Sequence, residues 1–380
     1  MNTSSDYDGV SEGIKSRAFL LYWNEATAEY LLPNTIVLAI YLSIGLAGNI
    51  SVILVYQFGL DKKTDRRFFI VPLAWIDTAA LMVTATFNLT KNTKSVIFPG
   101  HGACKLFMYL SYVTTSTSLF LLNVIAVQRY LKICKPFGPH INRRWKRFSV
   151  FICAILSIVM YIPVLFYYGD VEIRNQSLGN ISGNQCNKLP GSPGQLKGLL
   201  IFQGVGFFVS CSSVTTIIVL YICITIATLK QLKKMKVITG DNFNVTKSDT
   251  SGQTYAPKIQ VNLQSATSDT EITMGTSTRI NEPKEKHPTT LTGTRKSTFR
   301  ISFMFMIISV VTFVSCLTSW TLIVIETGNP AFWKNLPPTA FHICLTLRRL
   351  YMINHFCNPL VYGAFDCVFR KKMKTIFCKK

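Results

Sequence analysis

The chain has 380 residues, 49% of them hydrophobic and 15% charged, with 40 Lys and Arg against 18 Asp and Glu for a net charge of +22. A soluble domain carries about 25% charge. Here the charges lie between apolar blocks, so the basic excess suits loops at an anionic membrane surface and argues against nucleic acid. The eleven cysteines show no C-x-x-C pair or zinc spacing. No H-E-x-x-H, G-x-S-x-G or P-loop string occurs, which argues against an enzyme.

Residues 1–29 are polar and mixed in charge, and Phe19-Leu20-Leu21 is too short for a signal-peptide core, so an extracellular tail is expected. A bilayer core needs about 20 apolar residues in a helix. Tyr30 to Leu60 meets that without a charge, and Phe68 to Thr90 meets it with Asp77 alone. Leu106 to Gln128, Phe148 to Gly169, Gly198 to Leu229 and Ile301 to Ile325 follow; Leu336 to Phe365, the least apolar, makes a seventh span. The expected fold is an all-α seven-helix membrane bundle: helices 1–5 within 30–229, a polar, largely disordered third loop at 230–297, helices 6 and 7 within 298–365, and a short amphipathic helix and tail at 366–380. No internal repeat suggests a transporter's inverted halves.

Basic residues set the orientation. Lys62, Lys63, Arg66 and Arg67 follow the first span, and Arg143, Arg144, Lys146 and Arg147 follow the third. The third loop and the tail after the seventh span are also basic, which puts the N-terminus outside and the C-terminus in the cytosol of a multi-pass plasma-membrane protein. The sequons at Asn2, Asn175 and Asn180 fall on the outer side as glycosylation candidates. Asn88 falls very near the membrane, and Asn244 falls in the cytosol.

Asn358-Pro359-Leu360-Val361-Tyr362 closes the seventh span, Gln128-Arg129-Tyr130 closes the third, and Asp77 stands alone in the second. With Asn49 in the first span and Tyr221 in the fifth, this chain resembles a class A, rhodopsin-like G-protein-coupled receptor across all seven spans and the helix that follows. The resemblance implies a switch at Asn358, Pro359 and Tyr362, a G-protein contact at Arg129 with Tyr130, Phe137 and Tyr221, and a disulfide between Cys104 and Cys186. It also implies a sodium ion among Asp77, Ser118, Asn354 and Asn358; the alternative is a protonated Asp77 bonded to Asn358 with no ion. Cys378 is a palmitoylation candidate.

Three departures stand out. Gln128 replaces the acid that would hold Arg129, so raised basal activity is expected. Ser213 replaces the fifth-span proline. In the sixth span Phe313-x-x-Cys316-Leu317-Thr318-Ser319 lacks the tryptophan and proline of the resembled pattern, leaving Phe313 as a core switch and Trp320 as a partial substitute for the tryptophan.

No lysine in the seventh span could hold retinal, and Ser111 stands where amine receptors carry an aspartate. The resembled positions place Ser111, Thr115, Trp320, Thr321, Arg348 and Met352 around a ligand pocket. Arg348 lies about 15 Å into the seventh helix. It either faces an anionic ligand group or pairs internally with Glu326 or Asp170, while Arg349 is assigned to structure. The expected partners are an extracellular ligand of peptide type, a heterotrimeric G protein and arrestin. A small anionic metabolite or odorant is the second reading, and a transporter or channel the third.

Overall fold

The computed structural model describes residues 4–58, 68–138, 141–245, 289–329 and 331–377. Residues 1–227 and 299–380 form one compact unit; residues 228–298 form a second, whose described residues, 228–245 and 289–298, are helical. The expected disordered loop is thus partly helical, and its remainder lies outside the described residues, as do Asn2, Lys62, Lys63, Arg66, Arg67, Asn244's neighbours beyond Val245, and Cys378.

The bundle consists of α1 (Ser4–Tyr30), α2 (Leu32–Ile53), α3 (Ile70–Thr93), α4 (His101–Cys134), α5 (Arg143–Met160), the short α6 (Val164–Tyr167), α7 (Pro193–Val245), α8 (Thr289–Gly328), α9 (Pro338–Arg348), α10 (Asn354–Phe365) and α11 (Cys367–Phe377). Among the described residues, six helical stretches are long and apolar enough to cross a membrane. They pack around an apolar core but also carry apolar side chains outside and bury several polar ones. Ile36, Ile40 and Ile44 face outward on α2, while Asn49, Asp77, Thr84, Asn92 and Ser118 are buried. Lipid leaves backbone groups no partner outside the chain, so helices whose polar residues face one another suit it. Glycines allow the closest approaches: a Cβ on Gly45 would meet Leu81 at 2.1 Å, and one on Gly48 would meet Pro359 at 2.8 Å.

Three elements depart from the sequence expectation. The N-terminal tail is helix α1, tied to the second span's end where Asn24 Nδ2 donates to the Thr93 carbonyl at 2.8 Å. After α6 comes an antiparallel hairpin, β1 (Tyr168–Asn175) with β2 (Ile181–Lys188), where apolar helix was expected to Gly169. Its turn uses the left-handed region at Gly179 (φ 79°) and Asn180 (φ 60°), which glycine and asparagine tolerate. The Cys104–Cys186 disulfide pins this hairpin to α4, with Cα atoms 5.4 Å apart.

The seventh span is the third departure, because it is two helices. Helix α9 stops at Arg348, Leu350–Ile353 form a tighter 3-10 turn, and α10 runs unbroken through Pro359. The break lies away from the proline that sequence reading would blame. Side chains from neighbouring helices meet the freed backbone groups: the Tyr351 N–H donates to Ser319 Oγ at 3.1 Å, and Asn49 Nδ2 donates to the His355 carbonyl at 2.7 Å. Mid-helix 3-10 turns often mark hinges. Beyond α10, Asp366 caps α11 by accepting from the Val368 N–H at 2.9 Å, and Tyr56 Oη donates to the same carboxylate at 2.7 Å. Helix α11 carries Arg370, Lys371, Lys372 and Lys374, and Phe369 is buried against the bundle.

Candidate functional site: a charged cavity above a buried histidine–aspartate pair

At the hairpin end a cavity of about 680 Å³ opens between α1, α3, α4, α8, α9 and α10, within the usual range for small-ligand sites. Thr27, Tyr30 and Leu31 from the junction of α1 and α2 line it, with Gln185 and Asn187 from β2. Tyr30 contacts Phe341 at 5.3 Å, and Phe341 contacts Trp333 at 5.5 Å between ring centroids. Trp320 lies in the wall, packed against Gly206 and edge-on to Phe207 at 6.2 Å.

Of the expected pocket residues, Ser111, Thr115, Trp320 and Arg348 line this cavity. Thr321 and Met352 do not. Thr321 is exposed on the outer face of α8, its hydroxyl turned back to the Leu317 carbonyl. Met352 is fully buried with Leu38, Leu81 and Ala85, because the 3-10 turn rotates it away from the cavity. The sixth-span register differs in the same way. Thr312, Ser315 and Ser319 face inward, whereas Phe313 is 37% exposed and Leu317 faces out, so Phe313 lies outside the core in which it was expected. Phe305 occupies the core instead, with its ring centroid 5.3 Å from the Arg129 guanidinium carbon and 6.3 Å from the Tyr362 ring centroid.

Arg348 pairs with Glu326, Nε to Oε2, at 3.1 Å. The other Glu326 oxygen faces Lys188 Nζ of β2 at 3.4 Å, and that ammonium also donates to Thr327 Oγ1 at 2.8 Å. Burial holds the Lys188 ammonium below the usual lysine range, and Glu326 opposes that shift. Asp170, the other candidate partner, sits in β1 opposite Cys186. Arg349 is buried: it donates to Asn34 Oδ1 of α2 and to Asn92 Oδ1 of α3, the latter at 2.9 Å. Arg349 thus ties α2 and α3 to the break in the seventh span.

His355 and Ser118 reach the cavity from below. Asp77, fully buried, accepts from Ser118 Oγ at 2.7 Å and from His355 Nδ1 at 3.0 Å on one oxygen, and from Asn358 Nδ2 at 2.6 Å on the other. The second ring nitrogen of His355 is 3.4 Å from Thr115 Oγ1. Asn354, an expected sodium ligand, instead accepts from Ser315 Oγ at 2.9 Å. A hard cation needs several oxygen ligands free to converge. Here Asn358 presents N–H rather than oxygen to the carboxylate, Asn354 faces α8, and an imidazole takes up the remaining side of Asp77. This donor set does not fit a sodium ion. No sequence motif pointed to His355, although its position directly after Asn354 in the expected ligand set was a usable signal.

At the opposite end Gln128, Arg129, Tyr221 and Tyr362 are all buried, with Tyr130 packed beside them. Tyr362 lies within electrostatic range of Arg129 and Tyr221, and its hydroxyl has no hydrogen-bond partner among the described residues. A buried polar group without a partner costs about 1–3 kcal/mol, and such groups recur where a structure changes state. Phe137 is fully exposed just beyond α4. Gln128→Asp places a carboxylate beside Arg129. It is expected to lower ligand-independent nucleotide exchange about five-fold, from about 1 kcal/mol of added restraint. Unchanged basal exchange at matched expression would refute the weaker restraint assigned to Gln128.

Residues 48–362 match the family described as 7 transmembrane receptor (rhodopsin family). The chain is 26% identical over 150 residues to the thyrotropin-releasing hormone receptor of Gallus gallus, covering 39% of this chain and 38% of that protein. It is 24% identical over 166 residues to the tachykinin-like peptides receptor 99D of Drosophila melanogaster, covering 43% and 31%. It is also 28% identical over 123 residues to the muscarinic acetylcholine receptor M3 of Rattus norvegicus, covering 32% and 21%. The matched stretches thus span well under half of each relative. The crystal structure of squid rhodopsin superposes with a TM-score of 0.63 at 16% identity, covering 93% of this chain and 86% of that one.

Proposed function

This chain belongs to the rhodopsin family of seven-transmembrane receptors, and on that premise we propose that it binds an extracellular ligand of peptide type and activates a heterotrimeric G protein. The observation that carries the reading is the path through the molecule. The cavity at the hairpin end has His355 in its lining, and His355, Asp77 and Asn358 lead through α10 to Tyr362 beside Arg129. A ligand that favours one arrangement at the hairpin end biases the other end through this broken helix. The hairpin end faces outward, because the basic residues of α11 and of Arg143–Arg147 gather at the opposite end. Phe137 and Arg129 then meet the G protein, and arrestin uses the same face.

Of the three relatives named above, one is named for tachykinin-like peptides and one for a releasing hormone. The third is named for acetylcholine, but Ser111 offers an ammonium no carboxylate, since its hydroxyl donates to the Phe107 carbonyl at 2.7 Å. A small anionic metabolite or odorant is the second reading, favoured by the roof that Tyr30, Trp333 and Phe341 place over the cavity. The test is nucleotide exchange on purified G proteins with receptor-containing membranes. Exchange above that of empty membranes is expected, and Arg129→Ala is expected to remove it. Solute flux without any exchange would overturn the receptor reading.

A further inference from the structure

The cavity's charges do not balance. Its lining holds four basic side chains, Lys91, Lys334, Arg348 and Arg349, and a single carboxylate, Glu326. Glu326 is divided between Arg348 and Lys188, so it answers only part of the charge of those two. Its field reaches Lys91 as well, but it forms an ion pair with neither Lys91 nor Arg349 among the described residues. The acceptors of Arg349 are two neutral amide oxygens, those of Asn34 and Asn92. Lys91 has no carboxylate within ion-pair distance among the described residues, and its ammonium lies 5.6 Å from the centroid of the Phe87 ring. The fields of Arg349, Glu326, Arg348 and Lys188 all act on Lys91, three cations against one carboxylate around one space. A buried cation met only by dipoles is unfavourable, and an anion beside it recovers much of that cost.

We propose that this cavity is built for a ligand bearing a free carboxylate, which lodges between Lys91 and Arg349. This rests on the cavity being the receptor's ligand site. It moves the anion contact away from Arg348, whose guanidinium is already engaged by Glu326. Lys91 supplies the direct contact as a point charge, Arg349 adds its positive field while Asn34 and Asn92 hold its fork, and the aromatic roof of Tyr30, Trp333 and Phe341 covers the ligand's apolar part. The carboxylate comes either from the free C-terminus of a short peptide or from a small dicarboxylic acid. Both fit the chemistry, and the cavity's size excludes a large folded hormone as the group buried there.

The test uses the full chain purified in detergent, with matched probes: succinate, glutarate and adipate against their diamides, and short peptides with free against amidated C-termini. Thermal stabilisation reports binding. An acid is expected to stabilise the receptor where its amide does not, and the arm in which this occurs identifies the source. Lys91→Gln is expected to weaken that acid about ten-fold or more, the loss of one charge-assisted contact. Thr321→Ala, on the outer face, is expected to leave binding unchanged. Equal stabilisation by acid and amide overturns the proposal, as does an unaltered affinity in Lys91→Gln or a lack of stabilisation by every acid. Those results leave the receptor reading standing if nucleotide exchange still depends on Arg129.

Discussion

Replacing Asp77 by alanine is expected to cost about 3–5 kcal/mol of folded-state stability, the usual penalty for removing one member of a buried polar pair. Three donors converge on this carboxylate from three other residues on two helices: Ser118 of α4, and His355 and Asn358 of α10. His355 is buried, so its ring loses its charged acceptor in a low-dielectric core. Adding His355→Leu to Asp77→Ala removes the orphaned ring and fills part of the space. The double variant is therefore expected to recover a large share of the loss. Thermal inactivation of the detergent-solubilised receptor, followed through the complete double-mutant cycle, measures the coupling, expected at about 2 kcal/mol or more. Additive losses in that cycle would mean that Asp77 and His355 do not act as a unit.

The same cluster shows which features of this molecule the sequence exposes. Long apolar runs and the residues Asn49, Asp77, Arg129 and Asn358 suffice to find the seven spans, because burying polar groups in lipid leaves so few alternatives. Side-chain direction is harder to read. In α8 the resembled string assigns Phe313 to the core, yet the buried residues around it include Met304, Phe305, Ile308, Ser309, Thr312, Ser315 and Ser319, whose helical spacing leaves Phe313 outside. No proline fixes that register, since Ser319 stands in its place. The seventh span breaks at Arg349 without glycine or proline nearby, and only the three-dimensional partners Ser319, Asn34 and Asn92 explain it. Met352 was misplaced for that reason. The hairpin and helix α1 are legible only as polar segments, because each is held by contacts distant in sequence: the Cys104 bond for one and Thr93 for the other.

Sodium is expected to have no specific effect on the wild-type receptor, and His355→Ser is expected to create one. In the wild type the imidazole stands against one oxygen of Asp77, and the amide of Asn358 presents N–H to the other. The chain thus satisfies its buried carboxylate with its own donors. Serine in place of His355 removes the ring and supplies a hydroxyl oxygen beside Asp77 and Ser118, and Asn358 can rotate its carbonyl inward. Those oxygens match the ligand type a hard cation requires. An ion there links α3, α4 and α10 in the resting arrangement and so opposes activation. Basal nucleotide exchange in sodium is compared with that in potassium and in N-methylglucamine at constant ionic strength. The wild type should give one rate in all three, and His355→Ser should run about five-fold or more slower in sodium, the low end of ordinary allosteric coupling. A selective sodium response with His355 intact would show that the ring yields to the ion. A His355→Ser variant that folds yet ignores sodium would show that more than the histidine keeps the ion out.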